Sequence, residues 1–342
     1  MEKLNWGIIG LGRIAESFSE AFLDIKNAKL LAVSSKDKFK LNKFKNLYNI
    51  ENKFLFENYE DLINCSEVDI VYIALPNSLH YYWVIKSIEN KKNTLVEKPA
   101  TLKLSEIKDI NNNLINKDIF FGEAFMYRYL PQIKEVINIL KNHEIGNIFS
   151  MKSCFGMNLI TKKKFFFLNK KKRINPEDRK FNKQLGGGCI YDLGCYPSSF
   201  SLMISSIIDE NRFGNFNIIN ASKEIGETGI DINSSAELVF ENGFNSKIYS
   251  SFKKNLGSLS IIKGDKGTVI LNDTWKGNNL NIKFNNKNDK LINFDNNKNI
   301  YSYQIETISK NLINGIKKIS HPGMSFRETI LNTKIIESWL NE

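Results

Sequence analysis

A chain of 342 residues with 42% hydrophobic and 25% charged residues has the size and composition of a soluble protein of about two domains. The sequence contains no apolar run long enough to span a membrane, and the residues after the first methionine read as a strand rather than a signal peptide, so we expect a cytoplasmic protein. The formal net charge of +11 does not by itself indicate nucleic-acid binding, because most lysines are scattered among asparagines.

Residues 1–122 alternate short apolar segments with segments of helical apolar spacing. The strand candidates are LNWGIIG (4–10), AKLLAVSS (28–35), the short KFLF (53–56), VDIVYIAL (68–75), NTLVEKP (93–99) and DIFFGEA (118–124). Strands that alternate with helices in this way predict an α/β fold with a doubly wound parallel sheet. We place the first domain at 1–122.

From residue 123 the pattern changes. A helix is predicted at 132–142, a strand at 147–157, a polar and basic loop at 157–185, and a further helix in the second half of LGGGCIYDLGCYPSSFSLMI. Hairpin signals follow at Asn242-Gly243 and between Gly264 and Gly267, and two helical segments close the chain. This pattern predicts a second, antiparallel α+β domain at 123–342, whose last helix is expected to pack back on the first domain.

The basic loop contains the run KKKFFFLNKKKR at 162–173, which interleaves basic and aromatic residues. That combination is suited to stacking on bases, and it is equally compatible with a loop near an anionic ligand. We do not expect nucleic-acid binding. The four cysteines and three histidines show no metal-ligand spacing, which predicts reduced thiols and no metal site.

The first strand runs directly into a glycine-rich turn. Gly10, Gly12, Arg13, Ile14 and Ala15 belong to the pattern G-x-G-x-x-A, placed between a strand and the start of a helix. The first glycine permits a tight turn, the second lets backbone N–H groups approach a pyrophosphate, and the alanine allows close packing of helix on sheet. The helix N-terminus also favours an anion. The turn predicts a dinucleotide site of the Rossmann type.

The end of the second strand bears on which dinucleotide is bound. An acidic residue there would bind a ribose 2′-hydroxyl and repel a 2′-phosphate. Here Ser34, Ser35 and Lys36 offer hydroxyl donors and a cation, and Asp37 follows slightly later. We therefore favour NADP over NAD. The alternative is that Lys36 is a solvated charge of the loop and does not contact the cofactor.

Two further strand ends carry candidate site residues. The predicted cofactor contacts are Leu75, Pro76, Asn77 and His80 after the fourth strand, and Glu97 and Lys98 after the fifth. An open α/β sheet binds its ligands at the carboxyl ends of its strands. An ammonium group at that edge can polarise a substrate oxygen. For Lys98 considered alone, a surface charge is the simpler interpretation.

Taken together, these motifs resemble those of the Gfo/Idh/MocA oxidoreductase family over essentially the whole chain. The resemblance rests on GIIGLGRIA, ALPNSLH, VEKPA, GEAFMYRYLPQ (122–132) and GGGCIYDLGCYP (186–197), in the family's order. It implies an N-terminal Rossmann domain and a C-terminal domain with an open sheet. Lys98 matches the family's active-site E-K-P motif, and Asp192 and Tyr196 match its D-x-G-x-(H/Y) motif. Many family members have histidine at the last position of this motif. With Tyr196 there, this sequence resembles the members that include aldose dehydrogenases, glucose–fructose oxidoreductase and dihydrodiol dehydrogenases.

The resemblance suggests roles for these side chains. Residues i and i+4 share a helix face, so Asp192 and Tyr196 are expected to point together at the cleft. An ordinary tyrosine stays protonated at neutral pH, and a nearby ammonium favours its phenolate form, so Lys98 and Tyr196 are predicted to act as an acid/base pair. Alternatively, Lys98 donates the proton while Tyr196 only positions the substrate, or Tyr196 is a core aromatic. Asp192 is expected to bind a second substrate hydroxyl. Arg128 is expected either to contact substrate or to hold the domain junction.

The sequence therefore predicts an NAD(P)-dependent oxidoreductase, with NADP favoured, that interconverts an alcohol and a carbonyl on a sugar, polyol or cyclic diol. One alternative is an enzyme that retains and recycles its cofactor between two sugars, and another is a dinucleotide-binding regulator without chemistry. The resemblance implies a homodimer or homotetramer built through the open sheet. We expect no nucleic acid, membrane or metal as a partner.

Overall fold

The computed structural model describes residues 2–164, 168–295 and 297–342, so the centre of the basic and aromatic run, at 165–167, lies outside the described residues. The chain divides into two compact units, Met1–Tyr129 with Asn296–Thr329, and Leu130–Asp295 with Ile330–Glu342. The first unit thus extends past residue 122 and includes a segment from near the C-terminus. None of the described helices has the length and apolar character that crossing a membrane requires.

Within its described residues, the first unit contains a six-stranded sheet with every neighbouring pair parallel. The strands are β1 (Leu4–Ile9), β2 (Ala28–Ser34), β3 (Leu55–Phe56), β4 (Ile70–Ile73), β5 (Asn93–Val96) and β6 (Phe121–Glu123). The helices between them are α1 (Arg13–Glu20), α2 (Lys38–Tyr48), α3 (Tyr59–Asn64), α4 (His80–Glu89) and α5 (Leu104–Leu114). The order β3-β2-β1-β4-β5-β6 is that of a Rossmann sheet, which confirms the predicted fold class.

The second unit is built on a larger, mainly antiparallel sheet. Its elements are α6 (Pro131–Lys141), β7 (Ile148–Gly156), β8 (Thr161–Lys164), β9 (Leu168–Lys171), α7 (Cys195–Ile208), β10 (Phe216–Ile225), β11 (Asp231–Phe240), β12 (Asn245–Ser251), β13 (Ser260–Gly264), β14 (Gly267–Leu271), β15 (Asn279–Phe284) and β16 (Lys290–Asn293). Among the described residues, eight strands pair in the order β10-β11-β12-β7-β13-β14-β15-β16. Within the described part of that sheet, β12 and β7 are the only neighbours that pair in parallel, so the predicted antiparallel α+β architecture is confirmed.

Two helices, α8 (Ser302–Ile313) and α9 (Phe326–Asn341), close the chain. It is α8 that lies wholly in the first unit. The indole Nε1 of Trp6 in β1 donates a hydrogen bond to Ser309 Oγ at 2.9 Å, and the Asn27 side chain donates to the Glu306 carbonyl at 2.9 Å. These contacts join α8 to strands at the start of the chain, and sequence periodicity gives no sign of them.

The helix α7 forms the centre of the second unit. Its residues from Cys195 to Ser205 are all buried. The helix packs on β7 and β12, where the Ser201 and Ser246 hydroxyl oxygens lie 2.7 Å apart. Because α7 is buried on nearly all sides from Cys195 to Ser205, it is held as a core element of the unit, and its first turn therefore has a defined position.

Candidate active site

The turn between β1 and α1 has the geometry of a dinucleotide loop. Gly10 adopts a φ of +88°, and a Cβ there would lie 2.8 Å from the Ala74 carbonyl oxygen, so only glycine is accommodated. A Cβ on Gly12 would meet no atom within 4 Å, so the space in front of the helix N-terminus is open. Arg13, the first residue of α1, is exposed, and Ile14 is half-buried. Backbone N–H groups beside open space fit a bound pyrophosphate.

The end of β2 presents its predicted cofactor contacts unequally. Ser34 is fully buried, and its hydroxyl has no hydrogen-bond partner among the described residues. The Ser35 hydroxyl accepts the Asp37 N–H at 3.1 Å, and Lys36 is exposed. Asp37 caps α2 by accepting the N–H groups of Phe39 and Lys40. Ser35 and Lys36 are therefore more accessible than Ser34, and cofactor contact by all three stays a prediction.

The segment after β4 is tied to the segment after β5 through His80. Leu75 and Asn77 are buried, and Pro76 is half-buried. The imidazole of His80 is fully buried, with Nδ1 2.8 Å from the Pro99 carbonyl oxygen and Nε2 2.9 Å from the Leu75 carbonyl oxygen. A neutral imidazole donates to one of these carbonyls, and an imidazolium donates to both. This arrangement gives His80 a structural role between the two segments, and its predicted contact with cofactor stays untested.

Lys98 follows β5 on a segment that buried groups hold in place. Glu97 is 7% exposed and accepts a hydrogen bond from the Tyr72 hydroxyl. The other carboxylate oxygen of Glu97 accepts the backbone N–H of Lys98 at 3.3 Å. The Lys98–Pro99 peptide is cis, and the Lys98 side chain is half-buried. The Glu97 carboxylate therefore binds Tyr72 and the backbone of its own segment. Lys98 lies at the carboxyl edge of the sheet.

A second buried carboxylate, which sequence reasoning missed, lies at the end of the neighbouring strand. Glu123 ends β6, is 3% exposed, and accepts the backbone N–H of Ala100 at 2.9 Å. Burial raises the pKa of its carboxyl to about 7; the Ala100 N–H, Thr329 and Arg128 lower that pKa, and the charge of Glu97 raises it further. The available signal was its position, because an acidic residue at a strand end beside β5 must lie near the E-K-P segment.

Arg128 is a buried structural cation. Its side chain is fully buried, and Nη1 donates to Glu328 Oε1 at 2.8 Å. Burial opposes ionisation of both groups, but their mutual attraction outweighs it, so the pKa of Glu328 is lowered and that of Arg128 is raised. Ser325 also donates its N–H and hydroxyl to Glu328. These contacts favour the structural alternative for Arg128 over the predicted substrate contact, because the guanidinium is enclosed and paired within the first unit.

In the second unit, Asp192 and Tyr196 lie on either side of a change in helix type. Asp192 is in a π-helical turn, Ile190–Gly194, and Tyr196 is in the first turn of α7. The expectation that Asp192 and Tyr196 lie one turn apart on a regular α-helix is therefore corrected. The π-helical turn is wider than an α-helical turn, so it changes the angle about the helix axis between the two side chains. Both residues are 6% exposed. π-Helical turns occur frequently at functional sites.

Aromatic rings surround Tyr196. Its ring centroid lies 5.2 Å from that of Phe155 in an edge-to-face arrangement and 5.4 Å from that of Trp275. Such pairs stabilise the packing beyond the area that they bury. Aromatic walls with a few polar groups are also typical of small-molecule sites. The contacts are compatible with both the catalytic and the core interpretation of Tyr196.

Two cations beside Asp192 were not singled out from the sequence. Arg179 Nη1 donates to Asp192 Oδ1 at 3.3 Å, and Lys180 Nζ lies 3.7 Å from Oδ2. Both residues belong to the basic loop at 157–185. Because that loop contains many lysines, its composition does not distinguish these two cations from the others. Their sequence separation from Asp192 gives no periodic signal that would have identified the contact.

The sheet topology brings one group of predicted residues together. The segments that contain Gly10 to Ile14, Ser34 to Lys36, Leu75 to His80, and Glu97 to Lys98 follow β1, β2, β4 and β5, which are consecutive in the order β2-β1-β4-β5. Parallel strands end at one edge, so these segments line a single edge of the first unit. Asp192 and Tyr196 form a separate group in the second unit.

Comparison with known proteins agrees with this architecture. Residues 4–122 match a family described as an oxidoreductase family with an NAD-binding Rossmann fold, and residues 133–270 match the Gfo/Idh/MocA C-terminal domain. The chain belongs to the Gfo/Idh/MocA oxidoreductase family. Membership of this family confirms the resemblance seen in the motifs and supports a nicotinamide dinucleotide as cofactor.

Relatives match this Gfo/Idh/MocA chain along its length. A trans-1,2-dihydrobenzene-1,2-diol dehydrogenase of Xenopus tropicalis is 24% identical over 346 residues, which cover 98% of this chain and 97% of that one. The correspondence therefore includes both units.

Solved structures share the same architecture. An aldose-aldose oxidoreductase from Caulobacter crescentus superposes with a TM-score of 0.84 at 19% identity, covering 99% of this chain and 97% of that one. A levoglucosan dehydrogenase in complex with NADH and L-sorbose has a TM-score of 0.83 at 17% identity, with 100% and 96% coverage. A 3-ketoreductase from Actinomadura kijaniata with NADP has a TM-score of 0.81 at 18% identity, with 98% and 97% coverage. At these identities the likeness establishes the fold.

Proposed function

We propose that this protein is an NAD(P)-dependent dehydrogenase or reductase that interconverts an alcohol and a carbonyl on a sugar, a polyol or a cyclic diol. The full-length relative is named for a cyclic diol, and two structural neighbours are named for an aldose and for levoglucosan. These names support a substrate with neighbouring hydroxyl groups.

The observation that carries the proposal is the position of Lys98. Its segment follows β5, at the edge of the parallel sheet to which the Gly10–Gly12 turn also belongs. That edge is where an open α/β sheet binds its ligands. Glu97, which holds the Lys98 backbone N–H, and Glu123, which holds the Ala100 N–H, anchor the segment on both sides of Pro99. A pure binding protein has no need of a lysine anchored there.

We assign the chemistry as follows. A bound nicotinamide supplies or accepts the hydride. Tyr196 exchanges the proton of the reacting hydroxyl, and the ammonium of Lys98 stabilises negative charge on the tyrosine oxygen and on the substrate oxygen. Asp192 accepts a hydrogen bond from a second hydroxyl and so orients the substrate. The rings of Phe155 and Trp275 pack against Tyr196 and limit its motion.

NADP is the favoured cofactor in this proposal. Lys36 and Arg13 are both exposed on segments that follow β2 and β1, which are neighbours in the sheet. A 2′-phosphate needs cations and hydroxyl donors at that position, whereas a free ribose is bound by a carboxylate. The carboxylate of Asp37 already caps α2, which leaves it less available to a ribose.

The proposal is tested with the purified chain after bound nucleotide has been removed. NADPH and NADH are first titrated while nicotinamide fluorescence is followed, and the tighter-binding cofactor is then used against a panel of aldoses, polyols and trans-dihydrodiols. We expect tighter binding of NADPH and turnover of at least one class of the panel. Binding without any turnover would refute the enzymatic proposal, and binding of neither nucleotide would refute the dinucleotide site.

We also propose that the protein forms a homodimer or a dimer of dimers through a face of the eight-stranded sheet. A groove of about 530 Å³ on this unit is lined in part by Phe149, Lys152 and Lys247, and Phe149 is 50% exposed. An exposed phenylalanine beside a groove is suited to burial against a second subunit. Sedimentation velocity should show dissociation on Phe149→Glu and no change on Phe39→Glu, which alters an exposed phenylalanine of the first unit.

A further inference from the structure

The carboxylate of Asp192 lies between two cations of one loop. Arg179 donates to one oxygen at 3.3 Å, and the Lys180 ammonium lies 3.7 Å from the other. The Asp192 side chain is 8% exposed, the Lys180 side chain 17%, and the Arg179 side chain 42%. The cluster is therefore recessed at the carboxylate and reachable from solvent through the guanidinium.

The loop that carries these cations is held firmly against the glycine segment. Gly187 and Gly188 donate their N–H groups to the carbonyl oxygens of Asn182 and Lys180 at 2.9 and 3.0 Å. A Cβ on Gly187 would lie within 2.9 Å of three carbonyl oxygens of residues 179, 180 and 182, so only glycine allows this approach. Phe181 lies between Lys180 and Asn182, whose carbonyl oxygens both accept, and is buried in an apolar cluster with Cys189 and Leu193. Arg179 and Lys180 are thus carried by a loop whose backbone is fixed by hydrogen bonds and by burial of Phe181.

Both cations keep most of their hydrogen-bonding capacity. A charge-assisted bond between a guanidinium or ammonium and a carboxylate is typically about 2.7–2.9 Å long. The Arg179 contact is longer, and the Lys180 contact is beyond hydrogen-bond distance. A guanidinium has five N–H donors, and among the described residues Asp192 is the only side chain that accepts from Arg179. Two cations against one carboxylate also leave a net positive charge.

We propose that Arg179 and Lys180 bind an anionic oxygen group of the substrate, a carboxylate or a phosphate. Such a group supplies the acceptors and the negative charge that the cluster lacks, and the planar guanidinium matches it in a bidentate manner. The substrate is then an acidic sugar derivative, with a hydroxyl that Asp192 orients. This assignment of substrate class rests on the proposed function, whereas the binding of the anion does not.

The experiment compares matched neutral and anionic sugars on the full-length protein. Binding of D-glucose, D-glucuronate and D-glucose 6-phosphate is measured by calorimetry for the wild type, Arg179→Gln, Arg179→Lys and Lys180→Gln. Lys183→Gln is the matched control, since it removes the same charge from an exposed side chain of the same loop. Inorganic phosphate is titrated as a probe without a sugar.

We expect at least one anionic sugar to bind the wild type about tenfold or more tightly than D-glucose, with a preference that weakens as salt is raised. Arg179→Gln and Lys180→Gln should each abolish most of that preference, Arg179→Lys should retain part of it, and Lys183→Gln should leave it unchanged. Tighter binding of glucuronate identifies a carboxylate, and tighter binding of glucose 6-phosphate or inorganic phosphate identifies a phosphate.

Two results would overturn the inference: equal or absent binding of the neutral and anionic sugars, or an anion preference that survives both glutamine substitutions. The second result would show that Arg179 and Lys180 only hold Asp192 in place. Turnover separates this inference from the proposed function. An anionic sugar that binds through Arg179 but is not converted with either cofactor refutes the function alone, whereas conversion of neutral sugars unaffected by Arg179→Gln refutes the inference alone.

Discussion

The two units of this protein build their candidate sites from different materials. At the edge of the Rossmann sheet, the candidate binding groups are chiefly backbone N–H groups at strand and helix ends, with the buried carboxylates Glu97 and Glu123 holding the neighbouring segment. Around Asp192, they are side chains from a loop, a π-helical turn and an aromatic cluster. A common scaffold that binds one cofactor can be specified by backbone geometry. The candidate substrate site of this chain is specified by side chains instead.

The comparison teaches where to look for specificity. If the first site binds the cofactor and supplies Lys98, its substitutions should affect turnover of every substrate. If Asp192 and its two cations select the substrate, their substitutions should affect some substrates and spare cofactor binding. Four further substitutions probe single groups of the two units, and they follow from the largest expected effect to the smallest.

The largest effect is expected for Lys98→Met. Loss of a group that assists proton transfer and stabilises charge should lower kcat/KM by about 10³–10⁴-fold, while NADPH binding stays within about twofold. Steady-state kinetics and fluorescence titration measure the two quantities. Lys108→Met, which makes the same change on the exposed surface of α5, should leave both unchanged. Unimpaired turnover of the Lys98 variant would remove the lysine from the mechanism.

The second largest effect is expected for Tyr196→Phe. The variant keeps the ring that packs on Phe155 and Trp275, so the unfolding midpoint should stay near that of the wild type. Loss of the hydroxyl should lower kcat by about 10²–10³-fold and change the pH profile of kcat. Tyr249→Phe, at a half-buried tyrosine in β12, is the control. An effect on KM alone would favour the alternative in which Lys98 donates the proton and Tyr196 only positions the substrate.

Glu123 predicts a pH dependence of stability that belongs to the first unit. Its folded-state pKa of about 7 lies above that of an ordinary glutamate, so the folded state keeps a proton that the unfolded chain has released. The resulting stabilisation is fully present below the ordinary pKa and is lost as the pH rises through about 7. The stability of Glu123→Gln relative to the wild type should therefore increase as the pH rises from about 4.5 to above 7, by on the order of 3 kcal/mol.

Urea unfolding at a series of pH values measures this difference. Glu51→Gln, which changes an exposed glutamate of the same unit, should show no such trend. A constant difference between Glu123→Gln and the wild type across the pH range would mean that the carboxyl titrates normally in the folded state.

The smallest effect is expected for Lys36→Met. Removal of one exposed cation should weaken NADPH binding by about tenfold and leave NADH binding unchanged, since only NADPH has the 2′-phosphate. Lys38→Met removes a neighbouring exposed lysine, which pairs with Glu57, and serves as the control. Equal weakening of both nucleotides by Lys36→Met would show that the lysine does not select the 2′-phosphate.

Several features of the fold were predictable because their causes are local. Gly10 and Gly12 identify the dinucleotide turn, since a positive φ and a close backbone approach require glycine there. Asn242-Gly243 marks the hairpin between β11 and β12, and Gly243 does adopt a positive φ of +85°. Strand periodicity was likewise sufficient to predict the parallel and the antiparallel sheet.

The features that were missed depend on contacts between distant residues. The Trp6–Ser309 hydrogen bond joins positions 303 residues apart and assigns α8 to the first unit. Arg128 is buried against Glu328, which lies 200 residues further along the chain. The exposure of Arg128 therefore could not be judged from its neighbours in the sequence. The contact of Arg179 and Lys180 with Asp192 depends on how the basic loop packs on Gly187.

The sequence by itself determined the fold class and the dinucleotide turn, because backbone conformation and strand periodicity are encoded within a few residues. Lys98, Asp192 and Tyr196 were identified as candidates by the resemblance of their motifs to those of the family. The tertiary structure alone decided which charges are buried, which are paired and which remain reachable. Burial and electrostatic environment arise from groups that meet only after folding, and these determine that the pKa of Glu123 is raised to about 7, that Arg128 is buried against Glu328, and that Arg179 lies beside Asp192.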